Sequence, residues 1–268
     1  MSKGQTLAKF TDSIPNEDSM RLEENFVAIS DGAGGCGVFA NEWSKYLVEK
    51  LNSKEPIENY EDLDRWVDKI WEEFYDEHER IAKKNDGIFQ SKFYSEGSCA
   101  TIAAIWKVSA SEYKWMVYGD SVVFHYSMDT GCLEYSIESL GDFMNPPYLI
   151  SCKDPLTPEG FKCGTFKTND HSVIFVCSDA LSHFVLMMYM VFNQDKYIEE
   201  IERISKEQTV TAALLNIART IDGWTFDNVV DWLKDAVSSE YEFNKFIIGM
   251  YKKGLIDIDD YTLVFIKQ

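Results

Sequence analysis

Aspartates recur at the rims of apolar, strand-like runs along the whole sequence. They are Asp18 in Asn16-Glu17-Asp18-Ser19, Asp31 in Asp31-Gly32-Ala33-Gly34-Gly35, Asp120 in Gly119-Asp120-Ser121, Asp179 in Ser178-Asp179-Ala180, and Asp259 with Asp260 before Tyr261-Thr262-Leu263-Val264. Carboxylates at strand ends can converge in space, and a converging cluster repels itself unless divalent cations neutralise it. Oxygen ligands suit Mg²⁺ or Mn²⁺ rather than zinc, which favours His and Cys. The chemistry such a site supports is hydrolysis, because a cation-held water ionises near neutral pH where free water does not. Taken singly, an aspartate beside Gly or Ser at a strand end is an ordinary turn or cap residue. Order and spacing give the set its weight.

The elements that must position these residues are legible in the hydrophobic pattern. Asn25 to Ile29 reads as a short strand that stops in a tight turn at Ser30-Asp31-Gly32. Apolar residues at Phe39, Trp43, Tyr46, Leu47 and Leu51, and again at Leu63, Val67, Ile70, Trp71, Phe74, His78 and Ile81, follow a period near 3.6 and predict two amphipathic helices. Cys99–Trp106, Tyr113–Tyr118 and Val122–Tyr126 read as strands joined by short turns, which predicts an antiparallel meander. The segment 139–170, with Pro146-Pro147, Pro155 and Pro158, predicts a long irregular flap. Ser172–Cys177 is a buried strand delivering Asp179, and a largely helical region spans about 181–253. Its Met- and Leu-rich start, Leu181 to Met190, reads as core. The final strand begins at Tyr261. No internal repeat or domain boundary is visible, so residues 1–268 are expected to form one domain of sheets with helices packed outside.

Composition narrows the function classes. With 45% hydrophobic residues the chain can build a substantial core. Its net charge of −19, without a Lys/Arg cluster, argues against nucleic acid, whose binding rests on cationic contacts to phosphates. No apolar stretch reaches the roughly 18 residues of a membrane helix, and the first ten residues lack the apolar run of a secretory signal. A cytoplasmic protein without a membrane partner is expected, with a monomer as the default. The six cysteines contain no Cys-x-x-Cys pair and read as buried, reduced thiols.

An early Asn-Glu-Asp-Ser, a strand ending Asp-Gly-x-Gly-Gly, then Gly-Ser-x-Ala-Thr, Gly-Asp-Ser, an apolar strand into Ser-Asp and a terminal Asp-x-x-Thr strand follow one another from Asn16 to the last strand. This order resembles the type 2C family of metal-dependent protein serine/threonine phosphatases, and its compact bacterial members most. The resemblance implies an α+β fold, with two antiparallel β-sheets packed as a sandwich and flanked on both sides by helices (α-β-β-α). It implies two Mn²⁺ or Mg²⁺ ions and a third at an optional site. Asp31 matches the carboxylate bridging two ions, and the carbonyl of Gly32 a further ligand of one of them. Asp179 and Asp259 match ligands of the other ion, and Asp120 the ligand of the third. Asp18 and its neighbour Glu17 match acidic residues that hold metal-bound waters or a metal directly. Glu17, His183 and Asp260 are candidates for the surrounding shell. The activity implied is hydrolysis of phosphoserine or phosphothreonine in a protein substrate by a metal-activated water, with Asp31 and Asp179 at its centre.

The sequence departs from the family pattern in several places. The family often carries an arginine before the early acidic motif, where a planar fork clamps phosphate. Thr11-Asp12-Ser13-Ile14-Pro15 contains none, and Lys9 and Arg21 are the neighbouring cations. Ala33 stands where eukaryotic members have histidine, as in bacterial members. Val122 replaces an arginine after Gly-Asp-Ser, Ala180 replaces a glycine, and His183 takes the place of a further aspartate. These departures motivate two alternatives: a regulatory pseudophosphatase that binds metal or phosphoprotein without turnover, and a dinuclear phosphohydrolase of small phosphate esters. Gly97-Ser98-Cys99 lacks the Gly-x-Ser-x-Gly elbow of a nucleophilic serine and reads as a tight strand entry.

Overall fold

Residues 2–10 and 15–267 are described by a computed structural model. Thr11 to Ile14, most of the segment that lacks an arginine, lie outside the described residues.

Strands that are apolar at every position need cover on both faces, and that requirement shapes the molecule. On β3 (Phe26–Ser30), Phe26 and Ala28 pack into one core while Val27 and Ile29 belong to another. On β12 (Ser172–Cys177), Phe175 and Cys177 face helices while Ile174 and Val176 join Val27 and Ile29. Successive side chains of a strand point to opposite faces, so each strand feeds two cores.

Ten of the strands form two five-stranded antiparallel sheets. The first has the order β1 (Lys3–Leu7), β13 (Tyr261–Phe265), β12, β8 (Val122–Ser127), β9 (Cys132–Tyr135). The second runs β11 (Phe161–Lys167), β7 (Glu112–Tyr118), β6 (Ile102–Lys107), β3, β2 (Ser19–Leu22). Between them lies a core that includes Val27, Ile105, Val117, Val123, Ile174 and Val264. Helices α1 (Ala40–Lys50) and α2 (Tyr60–Ala82) cover the second sheet through Trp43, Leu47, Leu63 and Phe74. Beyond the first sheet lie α4 (Asp179–Phe192), α5 (Gln194–Ile204), α6 (Val210–Ala218), α7 (Phe226–Ala236) and α8 (Glu240–Lys252). The expected α-β-β-α sandwich is the observed architecture. Helix α4 is buried from Leu181 to Met190 because other helices pack over it, which explains its apolar character all round.

Several local expectations change. The run Cys99–Trp106 breaks at Thr101 into β5 (Ser98–Ala100) and β6, and β5 joins β4 (Gly32–Gly37) and β10 (Ile150–Ser151) in a small third sheet. The meander holds for β6 and β7, whose Ile105 and Trp115 are partners, but β8 crosses to the other sheet and pairs Phe124 with Phe175 of β12. The crossing occurs at Gly119-Asp120-Ser121, where Gly119 has φ +109° and a Cβ would lie 2.6 Å from Thr101 Cγ2. Strands apolar on both faces fit either sheet, so their pattern does not say which sheet they join. The expected flap contains a 3-10 turn (Leu140–Met144) and then β11, an edge strand of seven residues whose prolines lie before it. Helix α3 (Gly87–Glu96) and strands β1, β2 and β9 have patterns too short or too polar to be predicted. All six cysteines are free, but only Cys99, Cys152 and Cys177 are buried; Cys132 and Cys163 are exposed.

Candidate active site

The ends of β3, β12 and β13 and the crossing after β7 bring five of the sequence-predicted aspartates to one end of the sandwich. Asp31 follows β3, Asp120 occupies the crossing, Asp179 opens α4 directly after β12, and Asp259 precedes β13. Asp18 enters from the segment before β2 and is buried. Burial raises the pKa of Asp31, and the charges of Asp18, Asp179, Asp120 and Asp259 raise it further. Asp179 is raised by burial and then by Asp120, Asp259 and Asp18, while the Ala180 backbone N–H it accepts works the other way. Asp120 is pushed up to about 6 by burial, with Asp259 adding to the shift. Asp259 is raised by burial, opposed by the Asp260 N–H and Lys9. This mutual influence is the signature of like charges facing one another in a poorly solvated place.

Asp18 is the extreme case. Burial lifts it to about 7, the Thr262 and Ser178 hydroxyls soften the shift, and Asp260 and Asp259 add to it. Among the described residues neither of its Oδ atoms closes a hydrogen bond of normal geometry. A buried carboxylate without partners is costly unless something else satisfies it.

The serine and threonine residues of the motifs fasten these aspartates. Thr101 donates its backbone N–H to the Asp31 carbonyl at 2.8 Å, and its Oγ1 accepts from the Asp31 N–H at 3.3 Å. The same Oγ1 lies 3.0 Å from Ser121 Oγ, beside Asp120. Ser178 Oγ accepts from Thr262 N–H at 2.9 Å, joining the ends of β12 and β13 that carry Asp179 and Asp259. Thr262 Oγ1 continues to Thr6 Oγ1, which also accepts from Asn16 Nδ2, and Asn16 Oδ1 accepts the Asp18 N–H. These hydroxyls were legible only as motif members; their pairings are long-range in sequence.

Gly32 packs its backbone against the early acidic segment, donating its N–H to the Glu17 carbonyl at 3.1 Å. A Cβ there would lie 2.6 Å from that carbonyl oxygen, so only glycine fits. Asp260 is buried and committed to the backbone: its Oδ1 accepts from Lys9 N–H and its Oδ2 from Glu17 N–H, each at 2.7 Å. It braces the acidic segment. Glu17 pairs with Lys9 Nζ at 2.8 Å. Burial pulls the Lys9 pKa down, but Glu17, Asp260 and Asp259 outweigh it and the net shift is upward.

Arg21, the other neighbouring cation, does not reach the site. Its Nη1 donates to the carbonyls of Val48, Glu49 and Leu51 at the end of α1, and its Nη2 pairs with Glu23. It closes a helix C-terminus.

Asp120, Asp179 and Asp259 border a cleft of about 140 Å³ together with His183, Asp257 and an apolar wall that includes Phe143, Val210 and Leu214. His183 is buried, which lowers its pKa to about 4 against a small opposing effect of Asp257, so the ring is neutral near pH 7. Its Nε2 has no hydrogen-bond partner, and Phe143 packs edge-on against the ring at 5.3 Å. Phe143 and Asp257 carry no motif and were missed by sequence; Phe143 belongs to the expected flap. Among the described residues no Lys or Arg lines this cleft.

Five carboxylates that raise one another's pKa values beside the Gly32 backbone are oxygen donors of the type hard divalent cations take. Among the described residues, no three His, Cys, Asp or Glu side chains converge on a single point.

Comparison with solved structures places this architecture. The serine/threonine phosphatase PstP/Ppp of Mycobacterium tuberculosis aligns over 100% of this chain and 99% of its own, with a TM-score of 0.52 and 15% identity. Stp1 from Staphylococcus aureus aligns over 99% and 94%, with a TM-score of 0.51 and 13% identity. The catalytic domain of PstP in complex with two manganese ions aligns over 99% and 96%, with a TM-score of 0.52 and 14% identity. No family model matches the sequence, and no curated protein matches it. At such identities the likeness is one of fold: this chain has the fold of these bacterial serine/threonine phosphatases.

Proposed function

We propose that the chain is a metal-dependent protein serine/threonine phosphatase whose site is built by Asp18, Asp31, Gly32, Asp120, Asp179 and Asp259. The gathering of five carboxylates at one end of the sandwich, each raised by burial, carries the proposal. Such an arrangement is unfavourable without cations and favourable with them. Asp31, Asp179 and Asp259 would hold a pair of Mn²⁺ or Mg²⁺ ions with the Gly32 carbonyl, Asp120 a third, and Asp18 and Glu17 their surroundings. Bound there, the ions would supply a water ionised near neutral pH and offset the charge of the phosphoryl oxygens. The Thr101–Ser121 and Ser178–Thr262 contacts hold the carboxylates in register, and Asp260 holds the acidic segment against them. The neutral imidazole of His183 and the Phe143 wall border the side of the cleft where a phosphorylated side chain of a protein would enter.

Release of phosphate from p-nitrophenyl phosphate and from phosphoserine or phosphothreonine peptides should require Mn²⁺ or Mg²⁺. Asp31→Asn and Asp179→Asn should each lower kcat/KM by roughly 10³-fold or more. Full activity in either variant would end the assignment.

One observation favours the second reading, a metal-binding protein without turnover: the cleft offers no cation for the phosphate among the described residues, since Arg21 caps α1 and Lys9 is paired with Glu17. Calorimetric Mn²⁺ binding without hydrolysis of any phosphopeptide would select it. Turnover of nucleotides or sugar phosphates but no phosphopeptide would select the small-ester alternative.

A further inference from the structure

The opposite end of the first sheet has the opposite character. There the start of β1, the end of β13, the start of β12 and the last part of α7 enclose a pocket of about 430 Å³. Its floor is apolar, with Val173, Ile174, Val237, Phe265 and Ile266. Its rim carries Lys3, Lys234, Lys267 and His171, against a single carboxylate, Asp170. In a chain of net charge −19 an unselected patch is expected to be acidic. Among the described residues Lys3 and Lys267 have no carboxylate partner, and Lys234 reaches only Asp231, at 3.8 Å. Ammonium groups gathered around one hollow, two of them without a carboxylate partner among the described residues, focus a positive potential into it.

The wall behind the pocket is fixed. Ser172 Oγ accepts from Asn169 N–H at 3.0 Å and donates to Asn169 Oδ1 at 3.1 Å, with His125 Nε2 3.0 Å away. His125 Nδ1 lies 2.6 Å from Glu134 Oε2. The order serine, histidine, glutamate is that of a hydrolytic triad. Here, however, the serine is buried and its hydroxyl is engaged in the Asn169 turn, so the array anchors the start of β12.

We propose that this pocket binds a compact organic polyanion of the size and charge of a nucleoside triphosphate, its phosphates on the three lysines and its flat apolar part on the floor. The volume lies within the range of small-molecule sites, and an apolar base framed by a few placed charges is their usual composition. The site is independent of the phosphatase assignment, since it shares no residue with the aspartate cluster.

The test is calorimetric titration of ATP into the full chain in EDTA, which prevents any metal from bridging phosphate to the aspartates. Orthophosphate and adenosine are titrated in parallel. Saturable binding of one ATP, at least tenfold tighter than either fragment and weakened at least tenfold in Lys3→Gln/Lys234→Gln/Lys267→Gln, supports the proposal. These lysines are exposed or half-exposed, so the variant keeps the fold, and its Mn²⁺-dependent activity stays within twofold of the parent. No saturable binding, ATP binding no tighter than orthophosphate, or affinity unchanged in the triple variant would each overturn it. Loss of ATP binding in Asp31→Asn would also overturn it, by placing the ligand at the acidic end.

Discussion

The first sheet ends in opposite electrostatics. Where β12 runs into Asp179 at the start of α4 and Asp259 leads into β13, the groups are acidic, crowded and partly or wholly removed from water. At the far end of the same sheet Lys3 of β1, Lys234 of α7 and Lys267 after β13 stand apart, exposed or half-exposed around an apolar floor. The strands between are the same apolar scaffold. The difference teaches that this scaffold supplies position alone, while burial decides what a charge does: the lysines stand at the surface, whereas the aspartates are buried together and their pKa values rise. Charge that is costly to keep marks the end where a counter-ion is required.

That contrast can be attacked experimentally, and activity should respond most. If the acidic end acts as one unit, the double variant Asp31→Asn/Asp179→Asn should be no worse than either single variant in Mn²⁺-dependent kcat/KM. A multiplicative loss would mean the two carboxylates work separately.

Stability of the metal-free protein should respond next. A carboxylate raised in the folded state holds its proton longer than in the unfolded chain, so the folded state binds more protons and stability falls as pH rises. For Asp18 the fall begins above the ordinary aspartate value near 3.8 and is complete once the pH passes about 7. In EDTA the free energy of unfolding should therefore fall between about pH 4 and 7, by an amount on the order of a few kcal/mol, and the Tm should drop with it. Asp18→Asn should flatten that drop and also remove part of the rise in Tm that Mn²⁺ produces at pH 7.5. A Tm in EDTA that rises through this range and is indifferent to Asp18→Asn would show that the carboxylate is not under strain.

A smaller effect separates scaffold from site at Arg21. Arg21→Ala frees three carbonyls at the end of α1 and should lower stability by about 1–2 kcal/mol, read by urea denaturation, with KM for phosphate esters unchanged. A severalfold rise in KM would make Arg21 a phosphate ligand after all. The smallest effect is expected at the basic end, where the three-lysine variant should leave kcat/KM within twofold while ATP binding weakens.

Much of the frame was legible because it depends on near neighbours. The helical period through Trp43, Leu47, Leu63 and Phe74 gives α1 and α2, and the unbroken apolar runs give β3, β12 and β13. Other elements were hidden by the same logic. The glycines of 32–37 have no strand propensity, yet form β4 against β5 because the backbone of Gly32 must approach Glu17 closely. Strand β11 was obscured by the prolines that precede it. The crossing of β8 to the other sheet could not be read, since a strand apolar on both faces carries no mark of its sheet.

The site divides in the same way. The sequence by itself determined which residues could bind a hard cation, their order along the chain and the strand ends on which they stand, because residue type and local period are properties of short stretches. Only the tertiary structure decided that Asp18 is buried, that Asp260 braces the backbone of Lys9 and Glu17, and that Arg21 closes α1. It alone assembled Lys3, Lys234 and Lys267 around one hollow. Each of these depends on pairing between strands and helices far apart in the chain, and such pairing is set by the register of packed layers, which no local pattern encodes.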